Sequence, residues 1–270
     1  MYYLTENKEM LGFGSLDCYP NIFNFTTTRK GGFSKGNYAS LNGSYYSGDE
    51  KELVDRNWDR ILSHSNIQPR LVVRPYQTHE DKVLKIDEAF LELTHQEQEN
   101  AIQGVDGLIT NIPKVLLTVA TADCVPITIS EPDSGVIAVV HAGWRGTVNR
   151  IVKNAIQLII DSYGCDPTKL LVGIGPSISL KSFEVGDEVV DKFERAGFEL
   201  NKILWYNTSS DKHHVDLWKA NALLIASCGV PFGNISVANI CTYERHEEFF
   251  SARRLSIKSG RTITGIMLKK

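Results

Sequence analysis

The residues best suited to chemistry are His79, Cys124 and His141. Cys124 stands in TADCVPI, between apolar runs and directly after Asp123. A neighbouring negative charge disfavours a bare thiolate, so Cys124 is poorly placed to act as a free nucleophile. A bound cation reverses the argument, because zinc deprotonates a coordinating thiol. His141 closes the apolar run GVIAVV and opens the turn HAGWRG. His79 follows LVVRP in RPYQTH, with Gln77 and Thr78 beside it as hydrogen-bonding groups. Two imidazoles, one thiolate and an open fourth position make the pattern of a catalytic zinc. On this reading Asp123 is either a support outside the ligand set or a proton carrier.

Two segments suggest an anion beside that metal. In HAGWRGT, Gly143 and Gly146 would let backbone N–H groups approach a ligand at a helix start, and Arg145 could fork onto phosphate or carboxylate. In TTRKGGFSKG, Arg29 and Lys30 sit in a glycine turn that could cradle phosphate. Gln77 joins Arg29 and Arg145 as a substrate-binding candidate. Arg253, Arg254 and Arg261 read as a surface charge cluster. His64, His95, His213, His214 and His246 read as structural or solvent-facing.

The elements needed to hold these residues are legible in the pattern. IFNFTTT reads as a strand before the glycine turn, and EKELVDRNWDRILSHS as a helix. LVVRP, KVLKI, DGLIT, VLLTVA, VPITIS and GVIAVV are short strands that mostly follow one another without helices. Part of the sheet must therefore be antiparallel or mixed. A helix is expected from about Thr147 as N-cap, with Val148, Ile151, Val152, Ala155, Ile156 and Ile159 on one buried face, closed by Gly164 and Pro167. KLLVGIG is a strand. Helices follow over GDEVVDKFERAG and over DLWKANALLIASCG, with Asp216 near the start of the latter. NISVANI and RTITGIML are later strands. The polar stretch 93–104 reads as an excursion rather than a linker. The fold class is α+β, with mixed sheets covered by helices, in one domain over residues 1–270.

Composition narrows the function. The 270 residues carry a net charge of −3, which gives no basic field for nucleic acid. No apolar run approaches the roughly 20 residues that cross a bilayer, and the N-terminal residues lack the features of a secretory signal. The five cysteines are far apart and never in a C-x-x-C pair, which argues against a disulfide framework and for a reducing compartment, the cytoplasm.

Taken in order, TTRKGGFS, QTH, DGLIT, TADCVPI, HAGWRG, IGPSIS with FEVG, DLWKAN, and CTY with FFSARR resemble the laccase-domain, or YfiH-type, family. The resemblance spans nearly the whole chain. It implies four layers, α/β/β/α, with a duplicated β-α-β-β unit, and a metal on His79, Cys124 and His141. Departures from the family pattern at Ser40–Ser44 and Ser251–Arg261 fall on the rim that selects substrate. Members have been described as polyphenol oxidases, peptidoglycan editing factors, and purine nucleoside phosphorylases with adenosine deaminase activity.

Laccase chemistry needs several coppers held mainly by histidines, and this chain has seven histidines, only two of them in ligand-like contexts. A single blue copper usually takes an axial Met, and none of Met1, Met10 and Met267 adjoins a ligand motif. Zinc that activates water suits deamination at C6 of a purine, and an anion site suits phosphorolysis. The resemblance, rather than the residues, implies that both occur together: phosphorolysis of purine nucleosides with adenosine deamination. The partners would be a nucleoside and phosphate, with no nucleic acid and no membrane, and the chain a monomer or homodimer. The alternatives are metal-dependent editing of peptidoglycan precursors, copper oxidation, and a scaffold with a structural metal.

Overall fold

Alternating apolar side chains along the long strands dictate sheets buried on both faces. In the strand Val136–Ala142, Ile137 and Val139 join one core cluster, while Val136, Ala138 and Val140 join another. The period of two sends successive side chains to opposite faces. The structure is a computed structural model, and it describes residues 1–65 and 67–270.

Two six-stranded sheets result. The first runs Tyr2–Tyr3, Met10–Gly12, Ile22–Thr27, Thr262–Leu268, Val115–Thr121 and Leu71–Val73. The second runs Ile235–Val237, Leu171–Ile174, Val125–Glu131, Val136–Ala142, Gly107–Thr110 and Val83–Lys85. Both are mixed: Leu71–Val73 lies parallel to Val115–Thr121, whereas Ile22–Thr27 and Val115–Thr121 both flank Thr262–Leu268 antiparallel. A small third sheet joins Glu184–Val185, Lys212–Val215 and Leu204–Asn207.

The sheets bury one face against each other through Leu117, Val119 and Ile266 on one side and Leu108, Ile137 and Val139 on the other. The helix Lys51–Ser65 covers the outer face of the first sheet, packing Val54, Trp58 and Ile61 on Phe25, Leu116 and Met267. The outer face of the second sheet is covered by Ile151–Tyr163 and Leu217–Ala226, whose Ile156, Ile159 and Leu224 join Ile127 and Val140. The order is helix, sheet, sheet, helix, an α+β fold as the sequence leads one to expect.

Two local expectations are corrected. The helix does not begin at Thr147. A short helix, Trp144–Val148, starts from Gly143, the chain breaks at Arg150 with φ 65°, and the long helix Ile151–Tyr163 follows. Thr147 is buried inside the first piece, where its hydroxyl oxygen accepts from Asn221 Nδ2 at 3.0 Å. The break turns the chain so that the apolar stripe from Ile151 meets the sheet. Gly164, in the left-handed conformation, does close the long helix, and Asp216 does cap Leu217–Ala226 by accepting from the Lys219 N–H. The polar stretch 93–104 contains a helix, His95–Ala101, started by a capping box between Thr94 and Glu97.

Ile156 is fully buried where the long helix meets the strand that carries His141. Ile156→Ala should leave a cavity and destabilise the protein by about 2–5 kcal/mol, measured as a lower denaturant midpoint with unchanged slope.

Candidate metal centre and active site

Strand register assembles the site. In the hairpin Val125–Glu131 with Val136–Ala142, Val125 pairs with Ala142 and Pro126 with His141. Cys124, just ahead of Val125, is therefore delivered beside Gly143. On the other flank Gly107 pairs with Val140. Asp106, just ahead of Gly107, thus meets His141, whose backbone N–H donates to the Asp106 carbonyl at 2.7 Å.

His79 arrives on the loop after Leu71–Val73, which wraps around the Asp106 side chain. The backbone N–H groups of Thr78, His79 and Glu80 all donate to its carboxylate at 3.1 Å. His79 adopts φ 65°. A left-handed residue inside such a run makes successive N–H groups converge on one anion. The same carboxylate lies 2.6 Å from His141 Nδ1. A carboxylate can only accept there, so Nδ1 carries the hydrogen and Nε2 is left to act as a ligand.

The ligand atoms of His79, Cys124 and His141 lie within 4.8 Å of one another. Among the described residues this is the only cluster of three or more potential ligands. The imidazole rings meet edge to face, 4.8 Å between centroids. His141 is buried, Cys124 half-buried and His79 exposed, so the cluster opens to solvent on one side. Burial pushes the Cys124 thiol up, but the adjacent His141 and hydrogen bonds from both imidazoles outweigh it and bring the thiol down to about 6. Burial lowers His141, while Cys124 and Asp106 together raise it to about 9. Asp106 ends below the usual carboxylate range, since its bonds from His141 and the backbone overcome its burial. A thiolate and two oriented imidazoles are a donor set that fits a metal ion of borderline softness.

The other candidates are placed differently. Asp123 has φ 83° and is buried, and its carboxylate accepts from Thr242 Oγ1 at 2.7 Å, Ser251 Oγ at 2.9 Å and the Arg253 N–H at 2.7 Å. With three donors it braces the turn that presents Cys124, rather than carrying protons. Gln77 commits both ends of its amide to Ala120, donating to the carbonyl at 3.1 Å and accepting from the N–H at 2.8 Å. Arg29 donates to the carbonyls of Ala39 at 2.7 Å and His246 at 2.8 Å and lies over the Phe250 ring. It ties loops together. Arg145 is exposed and rests on the Trp144 ring.

Gly32 and Gly146 allow close packing of backbone on backbone. A Cβ on Gly32 would fall 2.1 Å from the Ser40 carbonyl oxygen, and one on Gly146 3.0 Å from the Glu80 oxygen.

The structure adds two residues to the site that the sequence alone does not place there. Asp106 had a signal, an acid at the start of an otherwise apolar strand. Arg261, which its sequence neighbours mark as a surface arginine, is part-buried and feels the charges of Cys124 and Asp123. Its guanidinium donates to the carbonyls of Ser259 and Ile257.

Fold and site together define a helix-covered double-sheet protein with one His₂Cys centre. The family described as multi-copper polyphenol oxidoreductase laccase matches residues 23–269, and the chain belongs to that family. It is 47% identical over 270 residues to a protein of Bacteroides thetaiotaomicron named purine nucleoside phosphorylase, covering 100% of both chains. It is 41% identical over 245 residues to adenosine deaminase RL5 of an unknown prokaryotic organism, covering 91% of this chain and 93% of that one. The crystal structure of YlmD from Geobacillus stearothermophilus superimposes with a TM-score of 0.89 at 31% identity, over 99% of both chains.

Asp106→Asn places an amide NH₂ against two donors whichever way it is turned. Metal affinity should fall about 10–100-fold, read by competition with a chromogenic chelator. Gly143 has φ −64° and would tolerate alanine by its backbone, but the added Cβ would sit 3.1 Å from Cys124 Sγ and 3.4 Å from His79 Cδ2. Gly143→Ala should fold normally and bind metal more weakly in the same assay.

Proposed function

We propose that the protein is a zinc-dependent purine nucleoside phosphorylase that also deaminates adenosine. The observation that carries this reading is a His₂Cys ligand cluster open on one side, in a chain whose full-length relatives bear those two activity names. Copper is less well served. An axial Met would be the usual partner of a single copper in such a set, but Met10 and Met267 lie in the core under the helix Lys51–Ser65, and Met1 packs at the core between the sheets. Several coppers would need further histidine clusters, and the described residues form one.

Bound zinc would supply Lewis acidity for polarising the purine or activating water. His79, Cys124 and His141 would hold it. Asp106 keeps His141 in the ligating tautomer and fixes the loop of His79. Asp123 keeps Cys124 in register. Arg145, exposed in the turn after His141, and Arg261, close to Cys124, would draw phosphate to the open side. In phosphorolysis a phosphate oxygen bonds to C1′ as the C1′–N9 bond breaks, and the electron pair leaves with the base, which takes up a proton. In deamination water adds at C6 and ammonia departs. The five free cysteines suit a reducing compartment such as the cytoplasm, and no helix among the described residues is long and apolar enough to cross a membrane.

Zinc-loaded protein incubated with inosine should release hypoxanthine only when phosphate is present, and adenosine should yield adenine and inosine. Cys124→Ala should abolish all three products on chromatography. Retained zinc with no product from either nucleoside would refute the reading, and release of an amino acid from peptidoglycan precursors would transfer the site to cell-wall editing.

A further inference from the structure

A second cleft, of about 1060 Å³, lies along the outer edge of the Leu71–Val73 strand. The helix Lys51–Ser65, the helix His95–Ala101 and the Tyr45–Tyr46 loop form its walls, and none of His79, Cys124 and His141 lines it. Its cations and acids are mostly matched. Asp55 accepts from Lys51 Nζ at 2.9 Å and Tyr45 Oη at 2.8 Å. Asp49 accepts from Ser34 Oγ at 2.6 Å and Asn42 Nδ2 at 2.9 Å. Glu99 has His95 at 3.7 Å.

Arg74 is the exception. Its guanidinium lies 4.2 Å from the centre of the Trp58 ring system and 5.7 Å from that of Tyr45. Its Nε is sealed from solvent without a partner, and its side chain makes no hydrogen bond or ion pair among the described residues. Burial lowers its pKa, with Asp55 near enough only to offset part of the effect. A guanidinium carries five N–H donors in a planar fork, and stacking on aromatic faces satisfies none of them. A half-enclosed cation of this kind is costly unless an anion completes it. Arg74 lines the cleft together with Tyr45 and the exposed ring of Tyr46.

We propose that this cleft is a binding site for a small molecule bearing an oxyanion, phosphate or carboxylate, which pairs with Arg74. Stacking on Trp58 and Tyr45 restricts the guanidinium while leaving its N–H donors free for a planar or tetrahedral oxyanion. The site is independent of the nucleoside chemistry proposed for the metal centre. It adjoins that centre through the chain, since Arg74 leads directly into the loop that carries His79.

Calorimetric titration of the metal-loaded full chain with inorganic phosphate, AMP and succinate tests this, alongside Arg74→Gln, Arg74→Lys and Cys124→Ala. At least one probe should bind, Cys124→Ala should retain that binding, and Arg74→Gln should weaken it about tenfold or more. Tighter binding of AMP than of phosphate would identify a mononucleotide-like ligand with its base against the tyrosines. Tighter succinate would identify a carboxylate ligand. Should Arg74→Gln not fold, Arg74→Lys decides, because it keeps the charge, loses the fork and should bind more weakly. The Arg74 substitutions are read in the Cys124→Ala background as well, where the metal centre no longer contributes; no binding there by any of the three probes, or binding there that survives both Arg74 substitutions, would overturn the proposal.

Discussion

The buried carboxylate of Asp106 is the interaction on which the site depends. It accepts from three consecutive backbone N–H groups and one imidazole, four hydrogen bonds on two oxygens. Hydrogen bonds to a charged group are worth about 1.5–3 kcal/mol each, and losing the acceptor would strand buried donors. Through these bonds one side chain fixes two of the three metal-site residues by different means. It sets the backbone that carries His79 and the ring orientation of His141. The third, Cys124, is braced by Asp123 in the same style, with an acid gathering donors from Thr242, Ser251 and Arg253. Both acids act by accepting hydrogen bonds, and neither needs to touch substrate to matter.

The sheet supplies the remaining order. Side chains at the mouth of a hairpin are placed to the accuracy of its register, and here the register is defended by apolar residues on both faces of Val136–Ala142. The helix break at Arg150 lets a rigid helix cover that strand without pulling the turn at Gly143 away from the sulfur. His79 and Asp123 keep left-handed backbones that non-glycine residues adopt at a cost. His79 lies within the run of N–H groups that encloses the Asp106 carboxylate, and Asp123 directly precedes Cys124.

Much of this was legible in the sequence. The ligand types are separated by apolar strands, and strand ends are where a sheet projects groups into a cleft. That logic found His79, Cys124 and His141. It also found the strand and helix order, because period-two and period-3.6 patterns survive in buried segments. It failed where a polar side chain could face either water or backbone. Gln77 and Arg29 look like ligand groups in one dimension, but backbone carbonyls and N–H groups left unpaired by helices and sheets claim such side chains in the fold. Asp106 is hidden for the complementary reason: its partners lie in a loop distant in sequence, and a lone acid before an apolar strand resembles a cap. The capping box at Thr94 was hidden inside a stretch whose composition reads as loop.

Strand order has a consequence for synthesis. All three metal-site residues have been made by residue 141, yet Thr262–Leu268 must slot between Ile22–Thr27 and Val115–Thr121 to complete the first sheet. The donors that hold Asp123 also come from residues 242–253. A nascent chain stalled short of that point would hold the ligands for a metal but lack the central strand of one sheet and the brace behind Cys124. Such an intermediate exposes strand edges and a reactive thiol together. The first sheet can close only when Thr262–Leu268 is available to pair with both of its neighbours.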